Sequence, residues 1–266
     1  MREVKYDKKR SVIGIDLHGT LLNRDWSVSE ILLPELIDAV NRVRSQAYIF
    51  ICSGNDFCFT REVLPAPLFN IIDGYILENG CLFSDGNEER LLVNSNQIKI
   101  IKFLEKELQK MDLPDLLFFA HRRATISLFT KDHREGNLPD NLFEYLSNIL
   151  QKHHLSKEIT ITHSDVAVDI LPAGNSKFSG ISRVCPEQNI IAIADSCNDW
   201  EFLYRATESF LPQNCSPYIV NRFEKRGFSI LPVEEYRKSF EKRVYRSSYS
   251  YTEGVLDILV RLADSL

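Results

Sequence analysis

Ser11-Val12-Ile13-Gly14-Ile15-Asp16-Leu17-His18-Gly19-Thr20-Leu21 runs an apolar strand straight into a carboxylate and then turns at Gly19. Residues 12–15 carry no polar side chain, the pattern of a strand buried on both faces of a parallel sheet. In open α/β sheets, ligands gather in the crevice beyond the carboxyl ends of such strands. Asp16 is therefore read as a nucleophile anchored at a strand end.

The rhythm continues outward from that strand. Ile31, Leu32, Leu36, Ile37, Val40 and Val43 recur at helical spacing, and residues 47–52 form a second apolar strand that ends at Ser53-Gly54-Asn55, giving a βαβ unit. A short helix over 56–63 stops before Pro65 and Pro67, and a third strand over 71–77 ends at Glu78-Asn79-Gly80. From about Cys81 the pattern changes to an α+β module. It comprises a hairpin at Asp85-Gly86, helices over 95–110 and 139–153, and strands near 116–120, 125–129, 158–162 and 166–170. The βα rhythm resumes at Leu171-Pro172, with a strand over 189–194 and a last helix over 253–262. Residues 228–250 match no element cleanly. The expected division is a core of 1–82 and 170–266 with an insert of 83–169.

Bulk properties exclude several classes. With 266 residues, 44% of them hydrophobic, the chain can bury a full core. A net charge of −5 without a clustered basic face argues against nucleic acid and anionic membranes as partners. Six scattered cysteines have no metal-ligand spacing and read as reduced thiols. With no apolar stretch near 18 residues and no signal-like start, the expected setting is the cytoplasm.

Four strand ends carry polar groups suited to phosphoryl transfer, which needs a nucleophile, oxygen donors, a cation site and a compensating positive charge. Asp16 is the first, and Ser53 with the amide of Gly54 is the second. Lys177 lies at a helix start after Asp169-Ile170-Leu171-Pro172-Ala173-Gly174-Asn175-Ser176, and the apolar run 190–194 ends at Asp195-Ser196-Cys197-Asn198-Asp199. Two acids four residues apart can face one hard cation. Singly, each has an ordinary reading: Ser53 as a helix cap, Lys177 as a solvated side chain, and Asp195 and Asp199 as a cap and a surface acid. Their conjunction is what carries weight.

In this order, Asp16, Ser53, Lys177 and Asp195/Asp199 resemble the four motifs of the haloacid dehalogenase superfamily, whose members mostly transfer phosphoryl groups through an aspartyl-phosphate. The insert between the second and third motifs resembles the Cof-type subfamily, which includes sucrose-phosphate, trehalose-phosphate and mannosyl-phosphoglycerate phosphatases. The resemblance implies an α/β, Rossmann-like parallel-sheet core with an inserted α+β cap. It further implies Mg²⁺ held by Asp16, Asp195 and the main-chain carbonyl of His18, with Asp199 supporting the metal shell. Asn198 would touch the phosphate. Three positions depart from the motifs: Asn55 for Arg, Ala194 for Gly, and His18 for the second Asp of Asp-x-Asp-Gly-Thr.

Position 18 has two jobs in that family, a backbone carbonyl for the metal and an acid/base side chain. Histidine keeps the first, and its imidazole is competent for the second; carboxylates would raise its pKa and Mg²⁺ would lower it. In the cap, Arg122 and Arg123 are expected on a strand pair over 119–124, one pointing outward, as clamps for an anion or for hydroxyls, or as solvated edge residues. His121, His153, His154 and His163 form no ligand group, and Tyr245, Tyr249 and Tyr251 read as packing or an interface. The expectation is a Mg²⁺-dependent phosphomonoesterase, a monomer or homodimer, acting on a small phosphorylated metabolite such as a sugar phosphate. A phospho-ligand-binding pseudoenzyme and a phosphotransferase to an acceptor other than water are the rivals.

Overall fold

The computed structural model describes residues 6–7, 10–131, 140–152, 155–164, 166–237 and 242–265. His153 and His154 lie outside them. The chain begins β1 (Ser11–Asp16), α1 (Leu33–Arg44), β2 (Ala47–Cys52), α2 (Phe57–Val63), α3 (Ala66–Phe69), β3 (Gly74–Leu77), β4 (Leu82–Ser84) and β5 (Glu89–Leu91). There follow α4 (Ser95–Leu108), β6 (Leu116–Ala120), β7 (Ile126–Thr130), α5 (Asp140–Lys152), β8 (Ile159–His163) and β9 (Ala167–Pro172). It closes with α6 (Lys177–Val184), β10 (Ile190–Ile193), α7 (Trp200–Arg205), β11 (Glu208–Leu211), α8 (Pro217–Glu224), β12 (Ile230–Pro232), β13 (Arg243–Arg246) and α9 (Tyr251–Ser265).

Among the described residues, nine strands form one sheet in the order β12-β13-β11-β10-β1-β2-β3-β4-β5, parallel from β12 to β3 and antiparallel beyond. β1 is central, paired in parallel with both β2 and β10, so the strand order reverses at its carboxyl end. Its period-2 alternation explains the uninterrupted apolar run. Ile13 and Ile15 face the layer of α1 and α9, while Val12 faces the layer of α6 and α8. Each fully buried isoleucine contributes about 1.5–3 kcal/mol of transfer free energy. Gly14 permits the close approach of the second layer, since a Cβ there would lie 2.6 Å from the Phe202 ring.

The second sheet is antiparallel, β6-β7-β9-β8, with α4 and α5 packed on one face. Two local signals start its first helix cleanly: Asn94 caps the Gln97 amide at 3.0 Å, and the Gln97 side chain accepts from the Asn94 amide.

Three expectations are revised. The hairpin β4–β5, expected in the insert, pairs with β3 and extends the large sheet to Leu91, while β9 carries the small sheet on to Pro172; the sheets therefore exchange later than positions 82 and 169. Residues 228–250 contain β12 and β13, strands of three and four residues too short for alternation to mark them. Arg122 and Arg123 sit in the loop between β6 and β7, because β6 ends at Ala120 and Glu78 captures the loop's amides instead. Of the tyrosines, Tyr245 is core, stacked 5.3 Å from Phe210, whereas Tyr249 is exposed. Cys52, Cys81, Cys185, Cys197 and Cys215 are buried and Cys58 is exposed. Among the described residues no helix is long and apolar enough to cross a membrane.

Candidate active site

Two strand ends and one helix start deliver the charged groups. Asp16 closes β1, Asp195 and Asp199 follow β10, and Ser176 caps α6 by accepting the Ser179 amide at 3.2 Å. That cap makes Lys177 the first helical residue and aims it inward. Its Nζ lies 2.5 Å from both Asp16 Oδ1 and Asp199 Oδ1, with the side chain only 2% exposed. Burial would lower the Lys177 pKa, but Asp16 and Asp199 overcome it and hold it above the ordinary value.

One ammonium does not balance three carboxylates. Asp16, Asp195 and Asp199 each bring an oxygen within 4.8 Å of the others. Burial first, then repulsion from Asp16 and Asp199, raises the Asp195 pKa well above the carboxylate range. Burial, partly offset by Lys177 and then reinforced by Asp16, pushes Asp199 up to about 6. Surplus negative charge among hard oxygens fits a divalent cation. Thr20 Oγ1 donates to Asp195 Oδ1 at 2.7 Å, and Ser196 Oγ donates to Asn198 Oδ1 at 2.6 Å. Gly19 has φ of +74°, and a Cβ there would come 2.5 Å from Asp195 Oδ2, so the turn requires glycine on both counts.

Ser53 is buried at the end of β2, its Oγ accepting the Asn55 amide at 3.1 Å. The cap of α2 is Asp56, which accepts from the Phe59 amide at 2.9 Å; the cap reading of Ser53 therefore belongs three residues later.

From the small sheet's side, Arg122 is buried and reaches across to the large sheet. Its Nε donates to Gly54 O at 3.1 Å and one terminal nitrogen to Asn55 Oδ1 at 2.5 Å, while the other faces Asp56 Oδ2 at 3.4 Å. Arg123 turns away to Glu89 at 3.1 Å and takes no part in the site. Glu78 holds this loop down, accepting from the amides of Arg123 at 2.8 Å and Ala124 at 2.7 Å.

Asn55 Nδ2 in turn lies 3.1 Å from His18 Nδ1. Since Arg122 binds the amide oxygen, the nitrogen must face His18, and the neutral ring carries its proton on Nε2. The sign of the His18 shift, open from sequence, is downward: burial, then the cations Lys177 and Arg122, lower it to about 4.

These groups enclose a cavity of about 220 Å³ between the two sheets, lined by Asp16, His18, Ser53, Lys177 and Asn198 on one side and Arg122 and Asp169 on the other. Asp169 is buried against Ser127 Oγ and, at 3.1 Å, Asn79 Nδ2. Burial raises its pKa. Asp56, Glu78 and Asp169 thus hold the site together without having been singled out for it from sequence, and Asn55, noted there only as a departure from Arg, joins them. The polar residues closing strands β2 and β3 were the available signal. His121 and His163 stand apart from the cavity.

The fold and site define a class, a parallel-sheet core whose acidic strand ends are roofed by an inserted antiparallel sheet. Residues 13–137 match the model of the haloacid dehalogenase-like hydrolase family. That match spans just under half of the chain, and the fold of similar solved structures agrees with it. Among solved structures the chain is similar to a HAD/COF-like hydrolase from Plasmodium vivax, at TM-score 0.68 and 15% identity over 96% of each chain. It is similar also to the sucrose-phosphatase of Synechocystis sp. PCC6803, crystallised with sucrose and phosphate, at TM-score 0.66 and 14% identity over 96% of this chain and 98% of that one. The C-terminal domain of C. albicans trehalose-6-phosphate phosphatase follows at TM-score 0.56 and 14% identity, covering 97% and 93%. A search of curated proteins returned no significant match.

Proposed function

We propose that this protein hydrolyses a phosphate monoester of a sugar or similar small metabolite through an aspartyl-phosphate on Asp16. The observation that carries the reading is Lys177 bridging Asp16 and Asp199 at 2.5 Å beside Asp195, at the floor of the cavity. The cavity of about 220 Å³ falls below the ~300–1,000 Å³ of drug-sized ligand sites, which favours a small substrate. The sucrose-phosphatase and trehalose-6-phosphate phosphatase neighbours support a sugar phosphate within that range. In this reading the small sheet and its helices are the cap that selects the substrate.

Lys177 orients Asp16 through their ion pair and draws in the phosphoryl group, with Ser53 Oγ and the Gly54 amide as donors to its oxygens. A bound Mg²⁺ at Asp16, Asp195 and the His18 carbonyl, backed by Asp199, would supply charge neutralisation to the same oxygens. Asp16 attacks phosphorus as the bond to the leaving oxygen breaks. That oxygen takes a proton from His18, and His18 takes one back from the water that later cleaves the aspartyl-phosphate, releasing inorganic phosphate.

With its pKa near 4, His18 carries the needed proton in about one molecule in a thousand at pH 7. Leaving-group protonation is therefore the weak step. The same observation favours, as a second reading, a slow relative whose aspartyl-phosphate persists or passes to another acceptor.

The test is inorganic phosphate release from a panel of phosphomonoesters in Mg²⁺, with a chelator arm. Turnover that the chelator abolishes is expected. Full activity without divalent cations, or no release from any ester, would overturn the reading.

A further inference from the structure

The cap sheet's open face is not uniform. Register places Phe118 opposite Phe129 and Phe129 opposite Ala167, while Ala120 faces Ser127 and Ser127 faces Asp169. Directly opposed residues share a face, so one surface of this sheet has an outer apolar row and an inner polar row. Both rows line the cavity. The outer row is led by two stacked rings, Phe118 and Phe129, 4.8 Å apart and 7° from parallel.

The core side answers with aromatic rings. Trp26 lies edge-on to His18 at 5.2 Å and Phe59 lies 5.2 Å from the same ring, both lining the same cavity. Trp26 and Phe118 are 45% and 48% exposed. Large rings left open to water at a cleft mark a binding surface.

The inner row is already satisfied from within the protein. Ser127 donates to Asp169, Asn79 donates to Asp169 at 3.1 Å, and the Arg122 guanidinium is spent on Gly54, Asn55, Asp56 and the His121 carbonyl. Recognition of a polyol needs a row of donors and acceptors left free for its hydroxyls, because each one buried without a partner is costly. Among the described lining residues of the cap, Ser127, Asp169 and Arg122 are tied inward and Ser164 accepts the Val166 amide at 3.4 Å, beside the flat apolar area.

We propose that the substrate's leaving group is a planar, largely apolar ring, an aryl- or heteroaryl-methyl phosphate, seated between Phe118/Phe129 and Trp26/Phe59 while its phosphate reaches Asp16. This rests on the phosphatase reading for the placement of the phosphate and, within its class of small metabolites, favours a planar ring over a sugar. Face-to-face or edge contact with four rings rewards a flat π-system and gives a hydroxylated chair less.

The test separates recognition from turnover. Calorimetry with the Asp16→Asn variant in Mg²⁺ compares benzyl phosphate, glucose 6-phosphate and inorganic phosphate, the first two being esters of primary alcohols. Benzyl phosphate should bind at least about tenfold tighter than glucose 6-phosphate. Adding Phe118→Ala or Phe129→Ala should erase most of that ratio and leave inorganic phosphate unchanged; circular dichroism checks folding, and Phe118→Leu should restore part of the ratio. Equal or tighter binding of glucose 6-phosphate, or a ratio indifferent to both phenylalanine substitutions, overturns the proposal. Failure of the wild type to release phosphate while the binding ratio stands would sink the phosphatase reading alone.

Discussion

Asn55 Nδ2 lies 3.1 Å from His18 Nδ1, and the orientation of that amide is set by Arg122, which comes from the other sheet. The loop between β6 and β7 thus reaches the ring that replaces the usual acidic residue. Removing the Arg122 charge should raise the His18 pKa from about 4 toward its ordinary value, since that cation is one of the causes holding it down. Arg122→Gln followed by NMR titration of the His18 ring checks this. An unchanged titration would show that burial and Lys177 suffice.

The weak proton supply at His18 predicts an unusual pH signature. The ratio of kcat/KM for an alkyl phosphate to that for a nitrophenyl phosphate should rise as pH falls from 8 to 5, by up to about tenfold per unit, because only the alkoxide needs the proton. Taking the ratio cancels titrations common to both substrates. In His18→Ala the ratio should be flat, and His18→Asp should raise turnover of the alkyl ester. A flat wild-type ratio would make His18 a backbone ligand alone.

Charge balance gives a stability prediction. Asp195 and Asp199 repel Asp16 in the absence of a cation. Millimolar Mg²⁺ should therefore raise the thermal midpoint of the wild type, and Asp195→Asn should lose most of that rise while starting from a higher cation-free midpoint. Differential scanning calorimetry with and without chelator reads both. Lys177→Met should act oppositely, destabilising the cation-free protein by roughly 3–5 kcal/mol, because it strands two buried carboxylates.

How much of this was legible in the sequence depends on how local each signal is. Asp16, Ser53, Lys177 and Asp195 each end an apolar run or start a helix within a few residues, so each was legible locally and their conjunction pointed to one candidate site. Asn55, Glu78 and Asp169 matter through partners 37 to 90 positions away, such as His18 for Asn55 and Asn79 for Asp169, and no local pattern announces that. The arginines show the same limit. Alternation predicted that one would turn outward, but Glu78 decided it by capturing loop amides. The β4–β5 hairpin breaks the βα rhythm and so looked like insert, although its ladder joins β3.

Away from the site, Lys242 Nζ is partly buried against Leu203 O, Ala206 O and Ser209 Oγ at 2.5, 2.9 and 2.5 Å. Burial pushes its pKa down to about 7, against a smaller upward pull from Glu208. The unfolded chain keeps this proton up to about pH 10, so above pH 7 the unfolded state binds more protons and stability rises with pH. The penalty is complete below pH 7. Urea unfolding should give about 1 kcal/mol more stability at pH 9 than at pH 7 from this residue, allowing for screening, and Lys242→Met should remove that increment. An increment that persists in the variant would point to another group.

The bond formed at Asp16 is the step on which all the proposed chemistry depends. Rapid acid quench of the wild type during turnover, followed by peptide mass spectrometry, should find one phosphoryl group on Asp16 in the first turnover and none in Asp16→Asn, whose phosphate release should also be lost. Steady release of phosphate with Asp16 never phosphorylated, or an Asp16→Asn variant that turns over like the parent, would contradict it.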